Sequence, residues 1–151
     1  KTEVRSNSIE VVAREAAKHA FAEVKRPLVL DDTGLFIDSL NGFPMAYPAF
    51  VLETIGVDGI LKLMKGERNR SARFVTAVGY AESEIVEVFV GEMTGEISLE
   101  KAGHGGFGYD PIFIPEGKER TYAELSFSEK TAISHRTRAF TQFLKWYKER
   151  I

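Results

Sequence analysis

Gly103-His104-Gly105-Gly106-Phe107-Gly108-Tyr109-Asp110-Pro111-Ile112-Phe113 is the stretch on which the reading of this 151-residue chain turns. Four glycines in six residues leave a backbone that a ligand can approach closely, with positive φ permitted. Two aromatic rings and a carboxylate follow at once, and then the apolar run Pro111-Ile112-Phe113-Ile114, which reads as a buried strand. A loop that only turns the chain needs one or two glycines. This one offers backbone donors, a π-face and an acceptor, which suits a flat hydrogen-bonding ligand such as a purine.

Working outward, Ser8 to Lys25 reads as an amphipathic helix, with Asn7 or Ser8 as its cap and Pro27 as its stop. Its stripe is Ile9, Val12, Ala13, Ala16, Ala20, Phe21 and Val24. Leu28-Val29-Leu30 predicts a short buried strand that ends at Asp31-Asp32-Thr33-Gly34, with Gly34 as a turn signal. Asn41-Gly42-Phe43-Pro44 is a second turn. Residues 49–64 read as helical segments broken near Gly56 and closed by Lys65-Gly66. Residues 72–80 and 85–93 predict a strand pair around Glu82-Ser83-Glu84, and residues 95–99 continue the second strand past a bulge. A last helix starts near Ser134 and carries Ala139, Phe140, Phe143, Leu144, Tyr147 and Ile151 on one face. Strands and helices mix without strict alternation, which predicts an α/β fold: a mixed sheet with helices packed on it.

The composition supports one domain over residues 1–151, large enough to bury a core without staples. With no cysteine, disulfides and thiolate metal sites are excluded, and a cytoplasmic setting is expected. A net charge of −2 argues against a polynucleotide clamp. The apolar runs are too short to span a bilayer, so no membrane partner is expected.

Three groups of residues carry chemistry. Asp31 and Asp32 are successive strand residues, so their carboxylates point to opposite faces; one at a strand end can bind Mg²⁺ or take a proton from water. The competing reading is a solvated turn, because Asp-Thr-Gly is good turn chemistry. Glu3 alone reads as a surface charge, yet a second acid near that strand end would complete a magnesium site. In the third group, Ser134 caps the last helix and sets His135 and Arg136 in its first turn, with Lys130 nearby. Cations are mildly unfavourable at a helix N-terminus, so these groups make sense facing a polar ligand; a capped, solvated first turn is an equal reading of the same residues. His104 reads as an exposed loop residue, and Trp146, Phe140 and Phe143 as core or interface rather than a stacking platform. No histidine pair has zinc spacing, and neither a nucleophile elbow nor a Walker-type loop is present.

Leu30-Asp31-Asp32-Thr33-Gly34-Leu35, Asn41-Gly42-Phe43-Pro44, Gly105–Phe113, and Glu129-Lys130 followed by Ser134-His135-Arg136 occur in this order. Together they resemble the inosine-triphosphate pyrophosphatase family, the XTP/dITP diphosphatases, from about Glu3 onward. The resemblance implies an elongated mixed sheet flanked by helices, in two lobes with a central cleft. It implies Mg²⁺-dependent hydrolysis of deaminated purine nucleoside triphosphates (ITP, dITP, XTP) to the monophosphate and pyrophosphate, by a homodimer. By motif, Asp32 matches the acid that binds metal or activates water, with Asp31 beside it and Glu3 as a further metal ligand. Phe107 matches the ring that stacks on the base, and Gly108, Tyr109 and Asp110 line the same pocket. Lys130, His135 and Arg136 match the residues that read the 6-oxo edge.

Two departures stand out. The family's first strand and its Thr/Ser-Gly-Asn-x-x-Lys phosphate motif precede the point where this sequence starts, so the chain is expected to be N-terminally incomplete relative to the family. A purine-nucleotide-binding protein without turnover is therefore the alternative function. The second departure is Met45-Ala46-Tyr47-Pro48, where the family usually has Gly-Val-Tyr-Ser.

Overall fold

The structure is a computed structural model that describes residues 3–151, with side chains from Ile9 onward. The first helix, α1, runs Glu3–Val24 and so begins earlier than predicted. Asn7 and Ser8 lie inside it rather than at its cap. It ends where Lys25 takes φ 56° and donates its N–H to the Phe21 carbonyl at 2.8 Å. Among its described side chains, Ile9, Ala13 and Ala17, one turn apart, are fully buried, while Val12 and Val24 of the predicted stripe are exposed.

Leu28–Ile37 form one uninterrupted strand, β1, so Gly34 is not a turn. Pairing explains the correction. Leu35 and Phe36 lie opposite Met45 and Pro44 of the short strand β2, Pro44–Met45, and residues 34–37 are all buried. Buried backbone must find partners, and here the sheet supplies them. The turn between these strands keeps the Asn41-Gly42 signal, with Asn41 left-handed at φ 57°. Two helices follow, α2 (Pro48–Thr54) and α3 (Gly56–Leu63), broken near Gly56 as the sequence predicts. Strands β3 (Ser71–Glu82) and β4 (Ile85–Ile97) flank the two-residue connection Ser83-Glu84, and β5 (Phe113–Pro115) pairs antiparallel with the end of β4. The sheet order is β2-β1-β3-β4-β5. Helix α4, Phe127–Ile133, is an addition that periodicity does not reveal; α5, His135–Arg150, is the expected last helix.

The chain divides into two compact units. One comprises residues 1–33, 75–92 and 135–151; the other comprises residues 34–74 and 93–134. In the first unit, alternation along β3 decides which helix each residue meets. Val78 and Tyr80 join Ala139 and Phe143 of α5 in one apolar cluster. Gly79, between them, faces α1: a Cβ there would lie 2.9 Å from the Ala13 carbonyl. The two long helices thus cover opposite faces of β3. Tyr80, Phe89, Phe143, Trp146 and Tyr147 interlock as rings, Tyr80 meeting Trp146 edge-on at 5.5 Å. Phe143 is buried in this cluster, and Phe140 and Trp146 pack against it half-buried. Gly91 allows α5 to approach β4, because a Cβ there would fall 2.3 Å from the His135 carbonyl.

In the second unit, Leu35, Ile37, Phe74, Ile97, Phe113 and Tyr122 build the core. Phe74, Phe113 and Tyr122 pack as a triad with centroids 4.7 to 6.0 Å apart. The Arg70 guanidinium donates to the carbonyls of Ile97 (2.7 Å), Met64 (2.9 Å) and Ser98 (2.8 Å), tying the end of α3 to the end of β4.

Candidate functional site

The glycine-rich stretch lies in the second unit and folds as a tight loop around one carboxylate. Asp110 opens a short 3-10 turn, Asp110–Ile112, and is almost fully buried. The predicted strand over Pro111–Ile114 is therefore shorter, reduced to β5. Asp110 Oδ2 accepts the Phe107 N–H at 3.0 Å and the Lys130 ammonium at 2.5 Å. Gly106 sits at φ 68°, and a Cβ there would come within 2.0 Å of that oxygen. Glycine is therefore required at this position for both conformation and space.

Lys130, on α4, also lies 4.5 Å from the Phe107 ring centroid and 5.2 Å from that of Tyr122. Its ammonium is thus fixed between a carboxylate and two ring faces, an arrangement favourable to a cation. Phe107 itself is 72% exposed. An open aromatic face beside a fixed donor is what a stacked base needs. Tyr109 points inward: its hydroxyl donates to the Pro48 carbonyl at 2.6 Å, and burial pushes its phenol up to about 12. It holds the loop to α2 rather than offering a group to a ligand. Gly108, at φ 61°, lies near Leu52, and His104 is exposed.

Sequence periodicity missed the segment that carries Lys130, but its signal was present. Thr121-x-x-Glu124 and Ser126-x-x-Glu129 are two capping boxes in succession, the second starting α4. In the second box the Glu129 N–H donates to Ser126 Oγ at 3.1 Å, and the Ser126 N–H donates to Glu129 Oε1 at 2.8 Å.

In the first unit, Asp31 and Asp32 occupy successive positions inside β1 rather than at its end. Asp31 Oδ2 accepts from Arg136 Nε at 3.2 Å. The Asp32 carboxyl is raised above its ordinary value, first by burial and then by the neighbouring Asp31 charge. Thr33, next along, shares a 2.7 Å hydrogen bond with Thr76 that binds β1 to β3. His135, buried at the start of α5, and Arg136, half-exposed and engaged by Asp31, follow Ser134 at the junction of α4 and α5. The side chain of Glu3 lies outside the described residues. Among the described residues, no group of three or more acidic, histidine or cysteine side chains gathers at one point. No helix among them is long and apolar enough to cross a membrane.

A helix-flanked sheet with these motifs is an architecture already seen in solved proteins. A HAM1 protein from Coxiella burnetii superposes with a TM-score of 0.87 at 32% identity, over 93% of this chain and 77% of that one. The Staphylococcus aureus Ham1 protein gives 0.86 at 30% identity, over 92% and 76%. Among curated sequences, the dITP/XTP pyrophosphatase of Methanopyrus kandleri is 49% identical over 99% of this chain and 80% of its own length. That of Thermococcus kodakarensis is 48% identical with the same coverage. The model of the Ham1 family matches residues 1–146, and the chain belongs to that family.

Proposed function

We propose that this chain is a nucleoside-triphosphate pyrophosphatase that cleaves deaminated purine nucleotides, XTP, dITP and ITP, to the monophosphate and pyrophosphate. The observation that carries the reading is the Asp110–Lys130–Phe107 arrangement. The dITP/XTP pyrophosphatases at 48–49% identity support it.

A purine laid on Phe107 brings its edge within reach of the Lys130 ammonium. That group has three N–H donors, and Asp110 accepts one. Those left over suit the 6-oxo acceptor of hypoxanthine and xanthine. Adenine presents an amino donor there, which leaves the remaining Lys130 N–H groups without an acceptor, and a lost hydrogen bond of this kind is a strong discriminator. We assign His135 and Arg136 to substrate binding, and Gly108 and Tyr109 to the loop that shapes the pocket.

Bound Mg²⁺ would neutralise the triphosphate and draw charge off the departing pyrophosphate. The donor set fits a hard divalent cation, which needs one or two carboxylates and keeps waters and phosphate oxygens for the rest. Asp32 would hold it, with Asp31 and Glu3 as further acids. A cation beside Asp32 would favour its charged form and offset the burial and the Asp31 charge that raise its carboxyl. We also assign Asp32 to the attacking water, which one of its carboxylate oxygens would position by accepting a hydrogen bond from it.

We also place the protein in the cytoplasm, in keeping with its lack of cysteine, and as a homodimer. An apolar groove of about 700 Å³, lined by Phe43, Met45, Tyr47, Phe50 and Ile55 among others, is the surface that favours association with a second copy.

Product analysis with XTP, dITP and dATP tests the reading. The expected result is Mg²⁺-dependent pyrophosphate release from the first two only, with Asp32→Asn lowering kcat by about 10²-fold or more. Orthophosphate as first product overturns it. Binding of IMP without turnover would favour the binding-only alternative.

A further inference from the structure

Lys130 is only as well placed as the helix that carries it, and that helix has seven residues. A helix this short is not stable on its own. What holds it is a run of local bonds between residues 120 and 130, centred on Arg120 and Glu129, two residues with no assigned part in the reaction. Glu129 Oε1 accepts the Ser126 N–H and closes the α4 capping box. Its other oxygen accepts from Arg120 at 3.0 Å, and Arg120 also reaches the Glu124 carbonyl at 3.5 Å. Glu124 in turn closes the preceding box by accepting the Thr121 N–H at 2.9 Å. Arg120 therefore links two successive caps. The same segment grips the glycine-rich loop from the other side: Thr121 Oγ1 donates to the Ala102 carbonyl at 2.7 Å, and Ala123 accepts the Gly105 N–H at 3.0 Å.

We propose that Arg120 and Glu129 are positioning residues for substrate specificity: a brace that fixes the Lys130 ammonium against the 6-oxo edge of the base. This rests on the functional reading above. The pair is about half-exposed, so its contribution to global stability is small. Its effect is local, on where the neighbouring residue Lys130 points. The Glu129 carboxyl is held well below its ordinary range by the Ser126 N–H and by Arg120, which keeps the brace charged at all ordinary pH.

The test compares Arg120→Ala, Glu129→Ala and Glu129→Gln with the parent chain, well below its melting temperature. Glutamine still closes a capping box but carries no charge for Arg120. The expected result for Arg120→Ala and Glu129→Gln is a rise in KM for XTP of about two- to fivefold, the scale of an exposed ion pair, with kcat unchanged. Preference for dITP over dATP falls in parallel. Glu129→Ala, which also loses the cap, shows the larger rise. The double variant Arg120→Ala/Glu129→Gln is no worse than either single change. A ligand-free measurement accompanies it: the ¹⁵N–¹H signal of the Lys130 ammonium, protected from exchange by Asp110, weakens in both variants. Unchanged KM, selectivity and Lys130 signal overturn the brace while leaving the pyrophosphatase reading intact. If the parent chain turns over no triphosphate, that reading fails instead, and the Lys130 signal alone decides whether the brace exists.

Discussion

Two aspartate–cation pairs in this molecule share their chemistry and differ in everything around it. Asp110 and Lys130 meet at 2.5 Å with side chains 6% and 17% exposed, and two aromatic rings flank the ammonium. Asp31 and Arg136 meet at 3.2 Å with side chains 28% and 48% exposed. The first pair is desolvated and cannot separate without leaving a buried charge. The second is screened by water and can exchange partners at little cost. Geometry needed before the ligand arrives is built from the first kind of pair. An acid that must be free to meet a cation is better served by the second.

The largest expected difference is in stability. Asp110→Ala should cost about 2–4 kcal/mol, because it strands Lys130 and the Phe107 N–H. Asp31→Ala should cost less than about 1 kcal/mol. Urea denaturation of the two variants measures the contrast, and equal losses would break it. Next comes Gly106→Ala, which pushes a methyl group onto the Asp110 carboxylate at a positive-φ position. A loss of about 1–3 kcal/mol is expected, together with a raised KM for XTP. An unchanged KM would show that the Asp110 oxygen is not what orients Lys130.

A pH effect sharpens the comparison further. The Glu129 carboxyl falls from its ordinary 4.5 to about 2 in the folded chain. Its stabilising contribution is therefore complete above about pH 4.5 and is lost as the pH drops toward 2. Denaturant midpoints at pH 6 and pH 3 should differ less for Glu129→Gln than for the parent chain. Parallel pH dependence in the two proteins would remove Glu129 as a cause. The smallest effect is expected at Met45, which sits at φ 57°. Met45→Gly relieves that strain but loosens the unfolded chain, leaving a net gain of about 0.5 kcal/mol. A thermal melt detects it, and a lower midpoint would mean that the Met45 side chain contributes more than its backbone costs.

What the sequence revealed depended on the range of the forces involved. The break at Gly56, the β3–β4 pair and α5 were legible because apolar spacing and turn residues determine them locally. Gly34 misled, since its turn propensity is overridden by the pairing of its neighbours Leu35 and Phe36 with Met45 and Pro44. Helix α4 escaped because its seven residues are too few to show a period; its Ser126–Glu129 box was the available sign. The partner of Lys130 lies 20 residues away and that of Arg136 lies 105 residues away. No local pattern could have supplied either.

Those separations also bear on the order in which the molecule assembles. The bonds of the 120–130 segment, from Thr121–Glu124 to Arg120–Glu129, span three to nine residues. Closing such short loops costs little chain entropy and takes well under a microsecond. Uniting Asp31 with Arg136 must wait until more than a hundred residues have been brought home. The wall proposed to read the base is, in this sense, the part of the protein that can be finished first.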